Sequence, residues 1–297
     1  MVDASPATLE LLADCTFPPP GTEVTCAVSG GADSMALMVL AIAAGCAVTA
    51  VHVDHRLRCG SHAEADVVAA TARRFGARFR TETIDVQPGP NLEARAREAR
   101  YAVLPADVMT GHTADDQAET VLLNLMRGAT SSGLAAMRPG ARRPLLALRR
   151  AALAAYCQEL GITLVDDPSN RDLSFLRNRV RHELLPAMNT MARRDLVPVL
   201  ARQADLLREE SDLLDDLAAS IDPTDAKQLA AAPLALARRA VRRWLATDHP
   251  PDSATVERVL RVAAGDAQGC DIGAGRRVER SRQRLRLLDN PSVTPTR

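Results

Sequence analysis

Across residues 20–130, short apolar runs alternate with stretches whose apolar positions recur every three or four residues. Residues 23–29 (EVTCAVS) are a compact run that predicts a buried strand leading into a glycine loop. Residues 34–44 (SMALMVLAIAA) predict a helix, residues 47–54 (AVTAVHVD) a second strand, and residues 63–75 a second helix. The alternation continues with a strand at 78–86, a helix at 92–104, a strand at 107–111 and a helix at 115–127. Strands alternating with helices of this length imply an α/β fold, a parallel sheet with helices on both faces. On such sheets ligands bind beyond the carboxyl ends of the strands. After Pro186 the pattern changes. Residues 191–219 predict one long amphipathic helix, residues 233–246 and 253–264 two more, and residues 270–288 alternate apolar residues with Arg as a hairpin would. The expected division is therefore a Rossmann-type domain over residues 1–190 and a smaller, mainly helical domain over residues 191–297. There is no internal repeat, and NPSVTPTR reads as a frayed end.

Length agrees with this division, since 297 residues accommodate about two domains at roughly 100–200 residues each. Aromatic residues make up only 2%, so the core must be built from Ala, Leu and Val. No apolar run reaches the roughly 18 residues of a membrane span, and the N-terminus lacks a basic segment followed by an apolar one. A cytoplasmic protein with no membrane partner is expected. The six cysteines form no C-x-x-C pair, which excludes a zinc ribbon or redox dithiol and suits reduced thiols. Net charge is zero, but its distribution is uneven. Lys227 is the only lysine. Arg138, Arg142, Arg143, Arg149 and Arg150 occupy a stretch without an acid, and six arginines crowd residues 276–286. Arginine binds phosphate in bidentate fashion, so both clusters are candidate RNA contacts, or else solvated surface.

Five segments carry candidate chemistry. Ser29-Gly30-Gly31-Ala32-Asp33-Ser34 joins a strand to a helix. Its glycines let the backbone approach a ligand, and the helix that follows aims its N–H groups and positive dipole end at the loop, forming an anion site. A Walker loop is excluded because no lysine lies near. An acid inside an anion-binding loop makes most sense as a ligand for Mg²⁺, so Asp33 is the candidate metal residue. The second segment is His52-Val53-Asp54-His55-Arg56-Leu57-Arg58, at the end of the second strand; a metal site at His52, His55, Cys59 and His62 competes weakly, since neighbouring strand residues point to opposite faces. The third is a helix from Asn91 on which Glu93, Arg97 and Tyr101 follow at intervals of four. In the fourth, Gly111-His112-Thr113-Ala114-Asp115-Asp116-Gln117-Ala118-Glu119-Thr120, Asp116 and Glu119 share one side of a helix near its start. Such a carboxylate pair can hold an ammonium and accept a proton. The fifth pairs an Asp166-Asp167-Pro168-Ser169-Asn170 turn with Arg177-Asn178-Arg179-Val180-Arg181.

These segments, in this order, resemble the tRNA(Ile)-lysidine synthetases, short form, within the PP-loop ATP pyrophosphatases. The resemblance runs over residues 22–186, with Thr113 standing where the family has a second His; beyond them it is weak, and long members carry a further C-terminal domain that this chain is expected not to hold in full. It implies that ATP, with Mg²⁺, tRNA(Ile) with a CAU anticodon and free L-lysine are the reactants. The wobble cytidine would be adenylated at O2 and then attacked by the lysine amine. It further implies nucleotide contacts from Ser29, Gly30, Gly31, Ala32, Asp33, Ser34 and Asp54, and catalytic roles for Asp33, Arg97, His112, Asp116 and Glu119, with the last two holding the lysine ammonium. A homodimer is left open. Two rival readings are another PP-loop ligase, thiolating or amide-forming, and a non-catalytic nucleotide- or RNA-binding protein; missing C-x-x-C pairs and intact acids weigh against them.

Overall fold

The computed structural model describes residues 5–54, 62–85, 92–247 and 251–289. The chain divides into two compact units, Met1–Asp205 and Leu206–Arg297.

The first unit opens with α1 (Pro6–Ala13), then β1 (Glu23–Ala27), α2 (Ala32–Ala43), β2 (Ala47–Asp54), α3 (His62–Phe75), β3 (Arg78–Thr83) and α4 (Leu92–Val103). β1, β2 and β3 pair in that order, all parallel, as the alternation of strand and helix requires. The expected strand at 107–111 is reduced to one bridge. Met109 pairs with Cys26, donating to Thr25 O at 2.8 Å and accepting from Ala27 N at 2.9 Å. Thr110 N then turns away to Arg142 O (3.0 Å), so the ladder stops. The bridge still matters for function. It places Met109 on one side of β1 and β2 on the other, so the crossovers diverge at β1, the position where α/β sheets open a ligand crevice. The core beneath is aliphatic. Met35 through Ala41 of α2 are fully buried together with Cys26, Val68 and Leu153.

Beyond the sheet come α5 (Ala114–Met126), α6 (Ser131–Leu134) and α7 (Arg150–Glu159). Neither α1 nor α7 was evident in the apolar pattern. A continuous helical stretch follows, α8 (Leu176–Arg179), a π-helical turn over Val180–Leu184, and α9 (Leu185–Ala192). Val180, Leu185 and Val197 pack on Ala114, Ala118, Leu122 and Leu123 of α5, which seats this stretch over the start of α5.

The helix expected over 191–219 is two helices. α9 stops at Arg193, which is left-handed (φ 51°), and α10 (Val197–Ala219) begins afresh. Asp195 Oδ1 accepts from Val197 N at 3.0 Å, and Pro198 sits in the first turn, where its missing N–H costs nothing. The second unit contains the end of α10, then α11 (Ala226–Ala231), α12 (Leu234–Leu245) and α13 (Ser253–Ala264) around Leu229, Val241, Val256 and Val259. Its tail is a three-stranded antiparallel sheet rather than a hairpin: β4 (Gly269–Gly273), β5 (Arg276–Ser281) and β6 (Arg284–Asp289). Positive φ angles at Ala274, Gly275, Arg282 and Gln283 make the two turns. Val278 and Leu285 bury this sheet against the helices. Among the described residues no helix is long and apolar enough to cross a membrane.

Candidate active site

The geometry of the glycine loop begins at β1. Val28 N still pairs with Val51 O (2.8 Å), and the chain then leaves the sheet through Ser29 and Gly30. Gly30 is obligatory twice over. Its φ of +93° suits only glycine, and a Cβ there would lie 2.5 Å from Val165 Cγ2. Gly31 is the N-cap of α2 and provides no side-chain cap, so the first-turn N–H groups face the loop. Ser34 Oγ donates to Gly31 O (2.9 Å) and accepts from Ser29 N (3.1 Å), which fixes the loop around α2. Asp33 rises from the first turn. Burial pushes its carboxyl up to about 6, opposed by the Arg150 guanidinium, and its buried Oδ1 has no hydrogen-bond partner.

Beside this loop lies the second wall of the crevice. A Cβ on Gly111 would lie 2.6 Å from Asp33 O, so only glycine allows the two loops to touch. His112 follows. The Thr110 hydroxyl donates to Arg142 O at 3.2 Å and lies 2.7 Å from His112 Nδ1. The hydroxyl therefore ties the imidazole, through Nδ1, to the same wall that holds Arg142. Thr113, which stands in place of a second His, is the buried N-cap of α5. It forms a capping box with Asp116: Thr113 N donates to Asp116 Oδ2 at 2.9 Å, and Thr113 Oγ1 at 2.8 Å. The motif thus separates by task. Thr113 caps, Gln117 clamps Met137 through two bonds of 2.9 Å, and Asp115 accepts from Arg149 and from Arg150 N.

Asp116 and Glu119 do share one face, as expected, and both are buried. Three guanidiniums converge on them. Arg150 reaches Asp116 Oδ1 (3.0 Å), Glu119 Oε1 (3.1 Å) and Asp33 Oδ2 (3.2 Å). Arg177 reaches Asp116 Oδ1 and Glu119 Oε2, each at 2.9 Å. Arg181 donates to Glu119 Oε1 at 2.7 Å and lies 3.6 Å from Asp116 Oδ1. The π-helical turn starts between these last two arginines, and such turns concentrate at functional sites. Burial raises the Asp116 carboxyl, but Arg150, Arg177, the Thr113 N–H and His112 outweigh it and hold the group down at about 2. Asp116 is therefore a fixed negative charge and a poor proton acceptor.

Arg177 and Arg181 belong to a segment that sequence reasoning singled out, but neither was given a catalytic role, and Arg150 was not placed in the site. Arg150 stood among candidate RNA contacts, yet its guanidinium, like that of Arg149, is spent on carboxylates; Arg149 pairs with Asp115 and Asp195. The signal available for Arg177 and Arg181 was their four-residue spacing. In the same segment Asn178 is structural, since its Nδ2 donates to Ser169 O and Asp172 O. His52 is a core residue with Nδ1 2.9 Å from Val28 O, and no metal-ligating cluster exists among the described residues. Asp54 ends β2, its carbonyl accepting from Ile84 N. Arg56 and Arg58 lie outside the described residues, as do His55, Cys59, and the side chains of His62, Glu93 and Arg97.

A glycine loop feeding a bare helix N-terminus, with an acid in its first turn and a second wall ending in His112, defines a PP-loop nucleotide-binding protein. Residues 7–188 match the PP-loop domain family, and residues 225–286 match the TilS substrate binding domain. The chain is 42% identical to a tRNA(Ile)-lysidine synthase of Nocardia farcinica, with 92% of this chain and 94% of that protein covered. It is 44% identical to one from Rhodococcus erythropolis, over 76% of this chain and 74% of that protein. The chain belongs to the tRNA(Ile)-lysidine synthase family. Among solved structures, a U34-tRNA thiolase of Methanococcus maripaludis shares the fold, at a TM-score of 0.55 and 14% identity, covering 68% of this chain and 78% of that one.

Proposed function

We propose that this chain joins free L-lysine to C2 of the wobble cytidine of tRNA(Ile) with a CAU anticodon, converting ATP to AMP and pyrophosphate. The observation that carries the reading is the meeting of the PP-loop, His112 and the Asp116–Glu119 pair in one crevice of a chain from the lysidine synthase family. The Ser29–Ser34 loop and the α2 N-terminus hold the ATP phosphates, and Asp54, at the end of β2, is assigned to the nucleoside. Mg²⁺ fits at Asp33, whose buried Oδ1 lacks a partner, and would neutralise phosphate charge there.

Cytidine O2 attacks the α-phosphorus. An O–P bond forms as the bond to pyrophosphate breaks. A carbonyl oxygen is a poor leaving group, whereas an adenylate is a good one. The lysine Nζ then attacks C2, the C–O bond breaks, and AMP departs. Arg97 and His112 lie beside adenylate and base in this reading, with the His112 imidazole the group suited to accept the proton from the amine. Asp116 and Glu119 hold the incoming ammonium, which requires that a guanidinium yield its place. Catalysis is assigned to residues 1–190 and tRNA contacts to residues 191–297, which include the stretch matching the substrate binding domain. A thiolating reaction is disfavoured by its need for reactive thiols. Burial pushes Cys26 up to about 12 and Cys157 to about 11.

The test is pyrophosphate release with components omitted. Release that needs both ATP and tRNA supports the reading. Release with ATP, ammonia and a carboxylate substrate but no tRNA points to an amide-forming ligase, and no release under any mixture points to a binding protein.

The Thr110–His112 bond makes a separate prediction. Thr110→Val keeps the shape but removes the hydroxyl, so turnover should fall about tenfold and the acidic limb of the pH–rate profile should move, with Thr110→Ser restoring both. An unchanged profile in the Val variant would show that Thr110 does not set the imidazole.

A further inference from the structure

The carboxylates Asp33, Asp116 and Glu119 face the guanidiniums Arg150, Arg177 and Arg181, so the cluster is balanced, three charges against three. An ammonium added to it meets acids that are already satisfied. Accepting the reading that Asp116 and Glu119 receive the amine substrate, one cation must leave first. The three arginines are not equivalent. Arg177 and Arg181 contact only the α5 pair among these acids, whereas Arg150 spans that pair and Asp33 with all three of its nitrogens. It is also pinned at the start of α7, where its backbone N–H donates to Asp115 Oδ2 at 2.8 Å.

We propose that Arg150 is the positioning residue that makes amine binding conditional on nucleotide binding. A divalent cation held by Asp33 through its unpartnered Oδ1 repels the neighbouring guanidinium and competes for its anchor. Nucleotide phosphates at the α2 N-terminus, whose first turn carries Asp33, would offer that guanidinium new acceptors. Arg150 then turns from the α5 pair to the nucleotide, and the α5 pair is left one cation short. The amine enters that place. Such an order keeps lysine off the α5 pair until ATP is present.

The test is calorimetric titration of L-lysine into the full chain, with and without Mg²⁺ and α,β-methylene-ATP. In the wild type, lysine should bind at least about tenfold more tightly when the nucleotide is present. Arg150→Gln should bind lysine with one affinity in both conditions. Arg150→Lys, whose single ammonium cannot span three carboxylates, should show reduced coupling; it also serves if the Gln variant fails to fold. Nucleotide titration into each variant establishes that the analogue is bound. Equal wild-type affinities in the two conditions, or full coupling in Arg150→Gln or Arg150→Lys, would overturn the role of Arg150 while leaving the amine site intact. No lysine binding to the wild type in either condition would overturn the amine site itself and this inference with it.

Discussion

Asp33→Asn should abolish tRNA-dependent pyrophosphate release and yet make the protein more stable. The loss follows from removing the one charge in the PP-loop able to hold a metal ion against phosphates. Removing a group that stabilises charge in the reacting complex costs about a hundredfold to a thousandfold in rate. The gain in stability follows from burial. The Asp33 carboxyl is raised from 3.8 to about 6 because desolvation outweighs its pairing with Arg150. A carboxyl with a raised folded-state pKa binds its proton more tightly when folded. Its contribution to stability is therefore present below about 4 and is lost as the pH rises to about 6. Above that, the ionised group costs roughly 2–3 kcal/mol, a cost the neutral amide avoids. Melting temperatures should be higher for Asp33→Asn at pH 8, and the two proteins should converge as the pH falls toward 4. A variant that is less stable at pH 8 would show that Asp33 is a structural ion-pair partner and not a strained ligand.

Glu119→Ala should have the largest effect in the opposite direction. The Glu119 side chain is 1% exposed and accepts from Arg150, Arg177 and Arg181. Its removal leaves three guanidiniums facing Asp33 and Asp116 alone, with uncompensated positive charge in a partly desolvated pocket. Breaking such a buried network costs about 3–5 kcal/mol. For a chain of this size the melting temperature should fall by roughly 10 °C. Lysine incorporation should be lost even at temperatures where the variant remains folded. A melting temperature within a degree or two of the wild type would mean that the arginines re-pair and the cluster is not a unit.

How much of this was legible along the chain depended on whether the determining interactions were local. The β1, β2 and β3 strands and the α2 and α5 helices were legible because burial and helical spacing mark them directly. The PP-loop was legible because Gly30 and Gly31 occupy a strand-to-helix turn, and the shared face of Asp116 and Glu119 because a spacing of three is a property of one helix. Two features depended on distant partners and were not. Arg150 meets Asp33 from 117 positions away and Glu119 from 31, so an acid-free run of arginines around it looked like surface. The strand expected at 107–111 failed because Arg142 O claims Thr110 N, a long-range competition that no local run reveals. The expected long helix at 191–219 was the exception, since Asp195 and Pro198 are local start signals that its apolar spacing overrode. Thr113 gains its meaning from the same local logic.

The central claim is that this chain makes lysidine, and the most direct measurement is incorporation of radiolabelled L-lysine. The chain, ATP and Mg²⁺ are incubated with tRNA(Ile) carrying a CAU anticodon, and in parallel with the initiator tRNA(Met), which carries the same anticodon. The account requires label on tRNA(Ile) alone, and only when ATP is present. Tritium on neither tRNA while pyrophosphate is released would leave the adenylating half standing with a different nucleophile; label on both, or label without ATP, would contradict the account.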